Sequence, residues 1–246
     1  MTNQSKSTRL PGLIFEARSL DLANLPKVDC HLHTSWTDGA HTVEQIYQAA
    51  LKSGLTHILY SEHSRKTSTD WFHKFAAEVR ALTASTCRAY VGTEVKVETR
   101  AGDIDTIPAI SDDCDFIIAS VHRFIDANDA TIDFADTDPA QAVDIEYALT
   151  WAVLQNPQVD ILGHMLGMSY RRFGQTPSEE IIRELIARAA KFGVAVEVNS
   201  HYHPNALKML KWCQEFDARI TFGSNAHLLK DVGAITRQLA RELADA

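Results

Sequence analysis

A chain of 246 residues is long enough for one complete α/β barrel or for two small domains. Its 45% hydrophobic and 23% charged residues are ordinary for a globular protein, and no apolar run reaches the roughly 18–20 residues that a membrane span needs. The net charge of −8, with no basic stripe, disfavours a nucleic-acid partner. The 11 histidines are the one compositional excess.

The ends and the cysteines of the chain predict an ordinary cytoplasmic protein. The polar start lacks the apolar core of a signal peptide, so a cytoplasmic location is the default expectation. Residues 1–24 are predicted to form a loosely ordered leader, and residues 25–246 a single barrel domain. The four cysteines show no CxxC pair and are interpreted as reduced core thiols: Cys30, Cys87, Cys114 and Cys213.

Short apolar runs alternate with helix-like segments along the chain. The predicted strands are Val28–Cys30, His57–Tyr60, Ala89–Val91, Phe116–Val121, Val159–Leu162, Val194–Val198 and Ile220–Phe222. The predicted helices are Val43–Lys52, Trp71–Ala84, Ala140–Leu154, Ser178–Lys191, Ala206–Glu215 and Ile235–Leu243. Residues suited to cap helix starts are Thr42, Asp70 and Asp138. Residues 100–111 are weaker and are interpreted as a loop with a short helix.

This alternation favours a slightly irregular, distorted (β/α)7 barrel of parallel strands. An open doubly wound sheet is the structural alternative, but the chain has no GxGxxG loop to support it.

Each predicted strand ends, at or just past its carboxyl side, in a residue type that binds metals. These residues are His31 and His33, Glu62 and His63, Glu94, His122, His164, Asn199, and Asn225 with His227. The carboxyl ends of parallel barrel strands meet at one rim, where such folds build their active sites. The series therefore predicts a multinuclear metal centre.

Several of these positions have a specific geometric reason to bind metal. His31 and His33 are two apart in a strand, so both face one side and can hold one ion. The following turn can bring Asp38 back to the rim, and the Glu94 carboxylate can bridge two cations. The competing interpretations are hydrogen-bonded histidines near a strand end and a buried Glu94 paired with Lys96 or an arginine.

Basic residues near the same rim are candidates for holding a substrate. Arg171 and Arg172 are adjacent and can grip phosphate oxygens in a bidentate fork, although a solvated basic turn is the alternative. Arg123 and His201 also follow predicted strands and are further candidate substrate contacts.

Taken in order, the motifs resemble the PHP family, named for polymerase and histidinol phosphatase, from about Val28 to about Leu229. The family's pattern is HxH, Asp or His in the first loop, DH or EH, G-x-E, S-x-H, G-H and G-S-D-A-H. The matching residues here are His31, His33, Asp38, His63, Glu94, His122, His164 and His227. The resemblance implies a distorted (β/α)7 barrel with two to three divalent metals, zinc, manganese or iron, and hydrolysis of phosphate esters.

The family's pattern also implies how the residues divide among three metals. The first would take His31, His33, Glu94 and Asn225; the second Glu94, His122 and His164; the third Asp38, His63 and His227. Glu94, Asn225 and His227 would thus carry catalysis, with metal-activated hydroxide attacking a small phosphomonoester. Arg171 or Arg172 would stabilise the added negative charge. A homo-oligomer is left open.

Asn225 departs from the family pattern, which has Asp at this position. An amide oxygen can ligate a hard cation, but it brings no charge. Three explanations are open: a natural variant with altered metal preference or weakened activity, a binding protein that has lost catalysis, or an engineered substitution at this position. Two further alternatives are an amidohydrolase-like enzyme acting on a C–N or ester bond and a nuclease. Histidinol phosphate is not favoured, because the family's histidinol phosphatases tend to carry His where this chain has Asp38.

Overall fold

In the computed structural model, which describes residues 12–83 and 86–246, helices surround a mostly parallel, curled sheet of eight strands. The strands are β1 Phe15–Glu16, β2 Val28–Leu32, β3 His57–His63, β4 Arg88–Lys96, β5 Phe116–Ser120, β6 Phe124–Ile125, β7 Thr131–Ile132, β8 Ile161–Leu162, β9 Ala195–Asn199 and β10 Arg219–Gly223. The helices are α1 Val43–Lys52, α2 Phe72–Arg80, α3 Pro108–Ser111, α4 Pro139–Val153, α5 Gly167–Arg171, α6 Glu179–Phe192, α7 Ala206–Glu215 and α8 Ala234–Ala244.

Seven strands of the main sheet are parallel, and they lie in the order β10-β9-β8-β5-β4-β3-β2. This order follows the chain without a reversal, whereas a doubly wound sheet reverses at a switch point. The predicted barrel-type α/β fold is therefore confirmed, and the doubly wound alternative is wrong. β6 and β7 form a separate antiparallel hairpin after β5.

The sheet curls so that its two ends meet at the carboxyl side of the strands. Ala226, just past β10, forms a parallel bridge with Leu32 of β2. Its N–H donates to the His31 carbonyl at 3.0 Å, and its carbonyl accepts from the His33 N–H at 3.0 Å. This closure brings the ends of β2 and β10 to the same place on the rim.

The described part of the predicted leader packs on the barrel. β1 pairs antiparallel with β10, and Leu13 and Ala17 are 0% exposed. The Phe15 ring lies 6.2 Å from that of Phe222. Residues 13–17 thus differ from the expected loose order, and a two-residue strand is too short to leave a periodic signal. Residues 1–11 lie outside the described part of the chain, and the boundary near residue 24 stays a prediction.

Helix starts follow the predicted capping chemistry at two of three positions. Thr42 accepts from the Gln45 N–H in a reciprocal capping box, and α1 has its predicted bounds. Asp138 accepts from the Ala140 N–H at 3.0 Å, and α4 begins at Pro139. The prediction for Asp70 is wrong, because it lies in a 3₁₀ turn and α2 begins at Phe72 with no side-chain cap.

The predicted thiols belong to the main hydrophobic core. Cys30, Cys87, Cys114 and Cys213 are all free and buried, as predicted. In the part of the chain that the structure describes, no helix combines the length and apolarity required to cross a bilayer.

Candidate metal centre

The carboxyl ends of the parallel strands gather the predicted ligand residues at one rim. His31 lies in β2, His63 ends β3 and Glu94 lies in β4 as the register partner of His63. The others follow strand ends: His33, Asp38, His122, His164, Asn225 and His227. All nine predicted metal-binding residues lie within one connected cluster, held together by the contacts described next.

Glu94 is the residue to which most of the histidines converge. It is fully buried at the side chain. Its two carboxylate oxygens face opposite halves of the cluster. The nitrogen–oxygen distances are 2.8 Å from Oε1 to His164 Nε2, 3.3 Å from Oε1 to His122 Nε2, 3.1 Å from Oε2 to His63 Nδ1, 3.2 Å from Oε2 to His31 Nε2 and 3.6 Å from Oε2 to His33 Nε2. Imidazole nitrogens therefore lie near both oxygens, and the bridging role of Glu94 stays a prediction.

The turn after β2 returns Asp38 to the rim, as predicted. Its Oδ2 lies 3.2 Å from His227 Nε2 and 3.4 Å from His63 Nε2, and its Oδ1 lies 3.8 Å from His33 Nδ1. Glu62 holds this turn from beneath, because its carboxylate accepts from the Thr34 N–H at 2.7 Å and from the Thr37 hydroxyl. Glu62 therefore supports the loop rather than facing the cluster.

The donor set fits divalent metals. Among residues 12–83 and 86–246, three groups have ligand atoms within 4.8 Å of one another: His33, Asp38, His63 and His227; His31, Glu94 and His164; and His63, Glu94 and His122. Of the seven buried side-chain atoms that have no hydrogen-bond partner among the described residues, four belong to this cluster: His31 Nε2, His33 Nδ1, His63 Nδ1 and Glu94 Oε2. Buried polar atoms are rarely left without a partner, and imidazole with carboxylate suits zinc and similar cations.

Asn225 lies inside this cluster and points its amide at a histidine. Its Oδ1 is 3.0 Å from His33 Nε2, and its backbone carbonyl is 3.0 Å from His227 Nδ1. The residue has a left-handed backbone with φ of 49°, a conformation that Asn adopts more readily than most residues. The position that carries Asp in the family pattern is thus occupied by a neutral group in ligand range.

The cluster's electrostatics favour ionised carboxylates. Burial opposes ionisation of Glu94, yet the electrostatic effect of the neighbouring His122, His31 and His63 rings holds its pKa well below its usual range. Burial likewise opposes ionisation of Asp38, but hydrogen bonds from His227 and His63 lower its pKa.

The histidines divide into two kinds. Burial lowers the pKa of His33 well below its ordinary value and that of His122 to about 3. Burial also acts to lower the pKa of His31, but Glu197 and Glu94 outweigh it and raise the value well above the ordinary one. A cation at His31 would therefore compete with a proton more strongly than a cation at His33 or His122.

Glu197 supports the cluster and was not predicted as a site residue. It is fully buried in β9, and its carboxylate accepts from His31 Nδ1 at 2.8 Å, from the His164 N–H at 2.6 Å and from Asn199 Nδ2 at 2.7 Å. Asn199, which ends a predicted strand, thus lies one contact away from the cluster. A charged residue inside the apolar run Val194–Val198 is the signal that could have revealed Glu197.

The predicted substrate-binding residues separate into two kinds. Arg171 ends α5 and donates to His201 Nε2 at 3.1 Å, with both residues exposed at the rim. Arg172 instead lies 4.5 Å over the Phe134 ring, and Arg123 lies 3.7 Å from Asp105. The structure therefore leaves Arg171 and His201 facing the rim and engages the other two in contacts within the protein.

A cavity of about 500 Å³ opens beside Asp38, His63 and His122. Its other walls include Trp36, Trp71, Arg65 and Lys96. The two indole rings stack with centroids 5.9 Å apart, and the Trp36 indole Nε1–H donates to the Glu78 carboxylate at 2.8 Å.

Comparison with known proteins identifies several similar sequences and folds. A family model described as "PHP domain" matches residues 29–201. A DNA polymerase/3′-5′ exonuclease PolX from Bacillus subtilis is 27% identical over 74% of this chain, but the alignment spans only 31% of that protein. A "Probable phosphatase" from Caldicellulosiruptor saccharolyticus is 26% identical over 88% of this chain and 87% of its own length. A histidinol phosphate phosphatase structure from Lactococcus lactis, complexed with Zn, L-histidinol and phosphate, has a TM-score of 0.63 at 19% identity and covers 89% of this chain and 94% of that one.

Proposed function

This chain belongs to the PHP domain family, and from that premise we propose that it hydrolyses a small phosphomonoester at a trinuclear metal centre. The coarse activity, metal-dependent phosphoester hydrolysis, rests on the family match and on phosphatase names of relatives that align over most of their length. The number of metals, their identity and the substrate are the parts that we add.

One observation carries the proposal most directly. Glu94 is a fully buried carboxylate with imidazole nitrogens on both of its oxygens, and its Oε2 has no hydrogen-bond partner among the described residues. A structural glutamate in a protein core has its oxygens satisfied by donors. An oxygen left open towards several imidazoles is what a bridging metal ligand requires.

We assign the ligands as the family's pattern implies. His31, His33, Glu94 and Asn225 would hold one cation, Glu94, His122 and His164 a second, and Asp38, His63 and His227 a third. When bound, such cations polarise phosphoryl oxygens and lower the pKa of a water between them. Zinc, manganese or iron suits these nitrogen and oxygen donors.

The exposure of the ligands defines how a substrate approaches. Glu94 is fully buried, whereas the side chains of Asp38, His227 and His63 are 52%, 33% and 26% exposed. A phosphoryl group therefore reaches the cluster from the Asp38 side. Near the rim, the Arg171 guanidinium donates one hydrogen bond to His201, and its remaining N–H groups can donate to a phosphate oxygen.

The alternatives have less support. The full-length relatives are named phosphatases, which disfavours an amidohydrolase-like reaction. The match to the polymerase spans only 31% of that protein, so the exonuclease in its name is a weak guide to this chain. One observation supports a non-catalytic binding protein: Asn225 offers a neutral amide where the family pattern has a carboxylate.

Metal analysis combined with an activity assay tests the proposal. Protein purified without chelator is expected to contain two to three divalent metals per chain and to hydrolyse phenyl phosphate when Mn²⁺ or Zn²⁺ is supplied. The variant Glu94→Gln should lose metal and turnover together. Glu44→Gln, the same change at an exposed site on α1, should lose neither. Metal without turnover would support the binding-protein alternative, and failure to take up metal would contradict the assignment.

A further inference from the structure

The cavity beside the metal centre has two chemically different walls. Trp36 and Trp71 form a flat apolar wall, with their rings inclined by only 18°. Arg65 and Lys96 provide positive charge, and His63 and His122 form the boundary with the metal centre. A molecule with its phosphoester on the metals would therefore extend its organic part into this space.

Arg65 and Lys96 differ from the other cations near the rim. Arg171 bonds to His201, Arg172 lies over Phe134 and Arg123 lies near Asp105. By contrast, within residues 12–83 and 86–246 the Arg65 guanidinium and the Lys96 ammonium form no hydrogen bond, no ion pair within 4.0 Å and no stacking contact with an aromatic ring. Asp105 and Glu94 act on Lys96 only from a longer distance. Two unpaired cations lining one cavity repel each other, and an anion between them would remove that cost.

The two cations follow neighbouring strand ends. His63, the last residue of β3, and Glu94 of β4 are register partners at the metal centre. Lys96 ends β4 two residues after Glu94, and Arg65 lies in the loop two residues after His63. This arrangement places both charges on the side of the centre where Asp38 and His63 are exposed.

We infer that Arg65 and Lys96 bind a second oxyanion of the substrate, a carboxylate or a phosphate, while the phosphoester lies on the metal centre. The inference rests on the proposed function and adds a substrate class to it. That class is a phosphomonoester whose organic part is flat enough to lie along Trp36 and Trp71 and carries another anionic group. The contacts of Arg65 and Lys96 with the second anionic group determine which substrate is preferred. The metal ligands act on the phosphate that is hydrolysed.

Matched aryl phosphates test the inference. We would compare phenyl phosphate with its meta- and para-carboxyl derivatives and with the corresponding benzene bisphosphates. For Arg65→Gln and Lys96→Gln, we expect kcat/KM to fall at least about tenfold on the probes with a second anion, the loss typical of one charge-assisted hydrogen bond. Phenyl phosphate should change less than about twofold. Because each variant is compared with the wild type on the same probe, differences in leaving group cancel.

The control variant is Lys66→Gln, which removes one positive charge from the same loop. The Lys66 ammonium is paired with Glu98, so Lys66→Gln should change kcat/KM by the same factor on all probes. The carboxyl and bisphosphate series distinguish the two sources of the anion. Equal losses on phenyl phosphate and on the dianionic probes, or no loss on either, would overturn the inference and leave the proposed function standing.

A binding measurement separates the inference from the proposed function. Titration calorimetry of 4-phosphonobenzoate and phenylphosphonate reports affinity without turnover. The wild type should bind the carboxylated compound more tightly, and Arg65→Gln or Lys96→Gln should remove that preference. If the wild type hydrolyses no probe but shows this preference, the proposed function fails and the anion site stands. If the preference is missing, the anion site fails.

Discussion

The Glu197 carboxylate lies 2.8 Å from His31 Nδ1, at the opposite end of the imidazole from Glu94. The ring is therefore held with Nε2 directed at the candidate metal centre, 3.2 Å from Glu94 Oε2. A carboxylate behind a ligating histidine sets its tautomer and orientation and makes it a stronger ligand. Glu197 also accepts from the His164 N–H, so one buried side chain positions two candidate ligands.

The first prediction concerns this supporting carboxylate. Glu197→Gln replaces one carboxylate oxygen with an NH2 group. The His31 ring and the His164 N–H donate to different oxygens of Glu197, so the glutamine side chain cannot accept both hydrogen bonds. We expect metal affinity to fall about 10- to 100-fold, the usual cost of losing such a partner. Competition with a chromophoric chelator measures the change. Glu146→Gln is the matched control, because Glu146 is equally buried but bonds to Met168 and Ser169. Equal metal loss in both variants would contradict a specific role for Glu197.

The second prediction concerns Gly223, which makes room for Glu197. A Cβ added at Gly223 would overlap the Glu197 carboxylate and come within 2.8 Å of the His31 Cβ. Gly223→Ala should therefore displace Glu197 and lower metal content even though no ligand is changed. In Gly54→Ala the added methyl meets no atom within 4 Å, so that variant reports only on the left-handed backbone and should retain metal. Normal metal content in Gly223→Ala would show that the Glu197 carboxylate can be displaced without loss of metal binding.

The third prediction concerns Asn225. Its Oδ1 already lies 3.0 Å from His33 Nε2, so Asn225→Asp adds a negative charge in ligand range without a change of size. We expect metal affinity to rise about tenfold or more, because a charged oxygen binds a cation more strongly than an amide does. Turnover of phenyl phosphate should rise with it. Metal analysis and steady-state kinetics check both, with Asn128→Asp in an exposed loop as the control. Unchanged turnover with higher metal content would support a binding protein.

The strand ends could be predicted because their signal is local. An apolar run followed by histidine or carboxylate needs only the two-residue period of a strand and the shared rim of a parallel barrel. The contact of Glu197 with His31 could not be predicted in the same way. It joins β9 to β2, and it exists because Ala226 closes the ends of the sheet. A contact that forms only because the two ends of the sheet meet does not affect the residue spacing within either strand, so a sequence pattern cannot predict it.

The substrate-binding predictions show the same limit. Two adjacent arginines predict that both bind one phosphate. In the structure the Arg172 guanidinium instead lies over the Phe134 ring, so of the two only Arg171 remains at the rim, where it bonds to His201. Arg65 received no prediction, although it stands two residues after His63 just as Lys96 does after Glu94. Whether a cation is free or paired depends on partners from other segments, and the sequence does not reveal them.

The last prediction concerns the dependence of stability on pH. Burial raises the pKa of Glu146 from 4.5 to about 7, although hydrogen bonds from Ser169 and Met168 oppose the rise. Between these two pH values the folded state holds a proton that the unfolded state has lost, so stability falls as pH rises. The Glu146 contribution is complete below pH 4.5 and is lost by about pH 7, an effect of roughly 2 to 3 kcal/mol.

The difference in unfolding free energy between wild type and Glu146→Gln isolates this group, because every other titration occurs in both proteins. Urea unfolding at pH 5 and pH 8 should show the wild type losing more stability over this interval than the variant. The exposed Glu184→Gln should follow the wild type at both pH values. A wild type and a Glu146→Gln variant with parallel pH profiles would mean that the Glu146 carboxyl ionises in the folded state near its ordinary pKa.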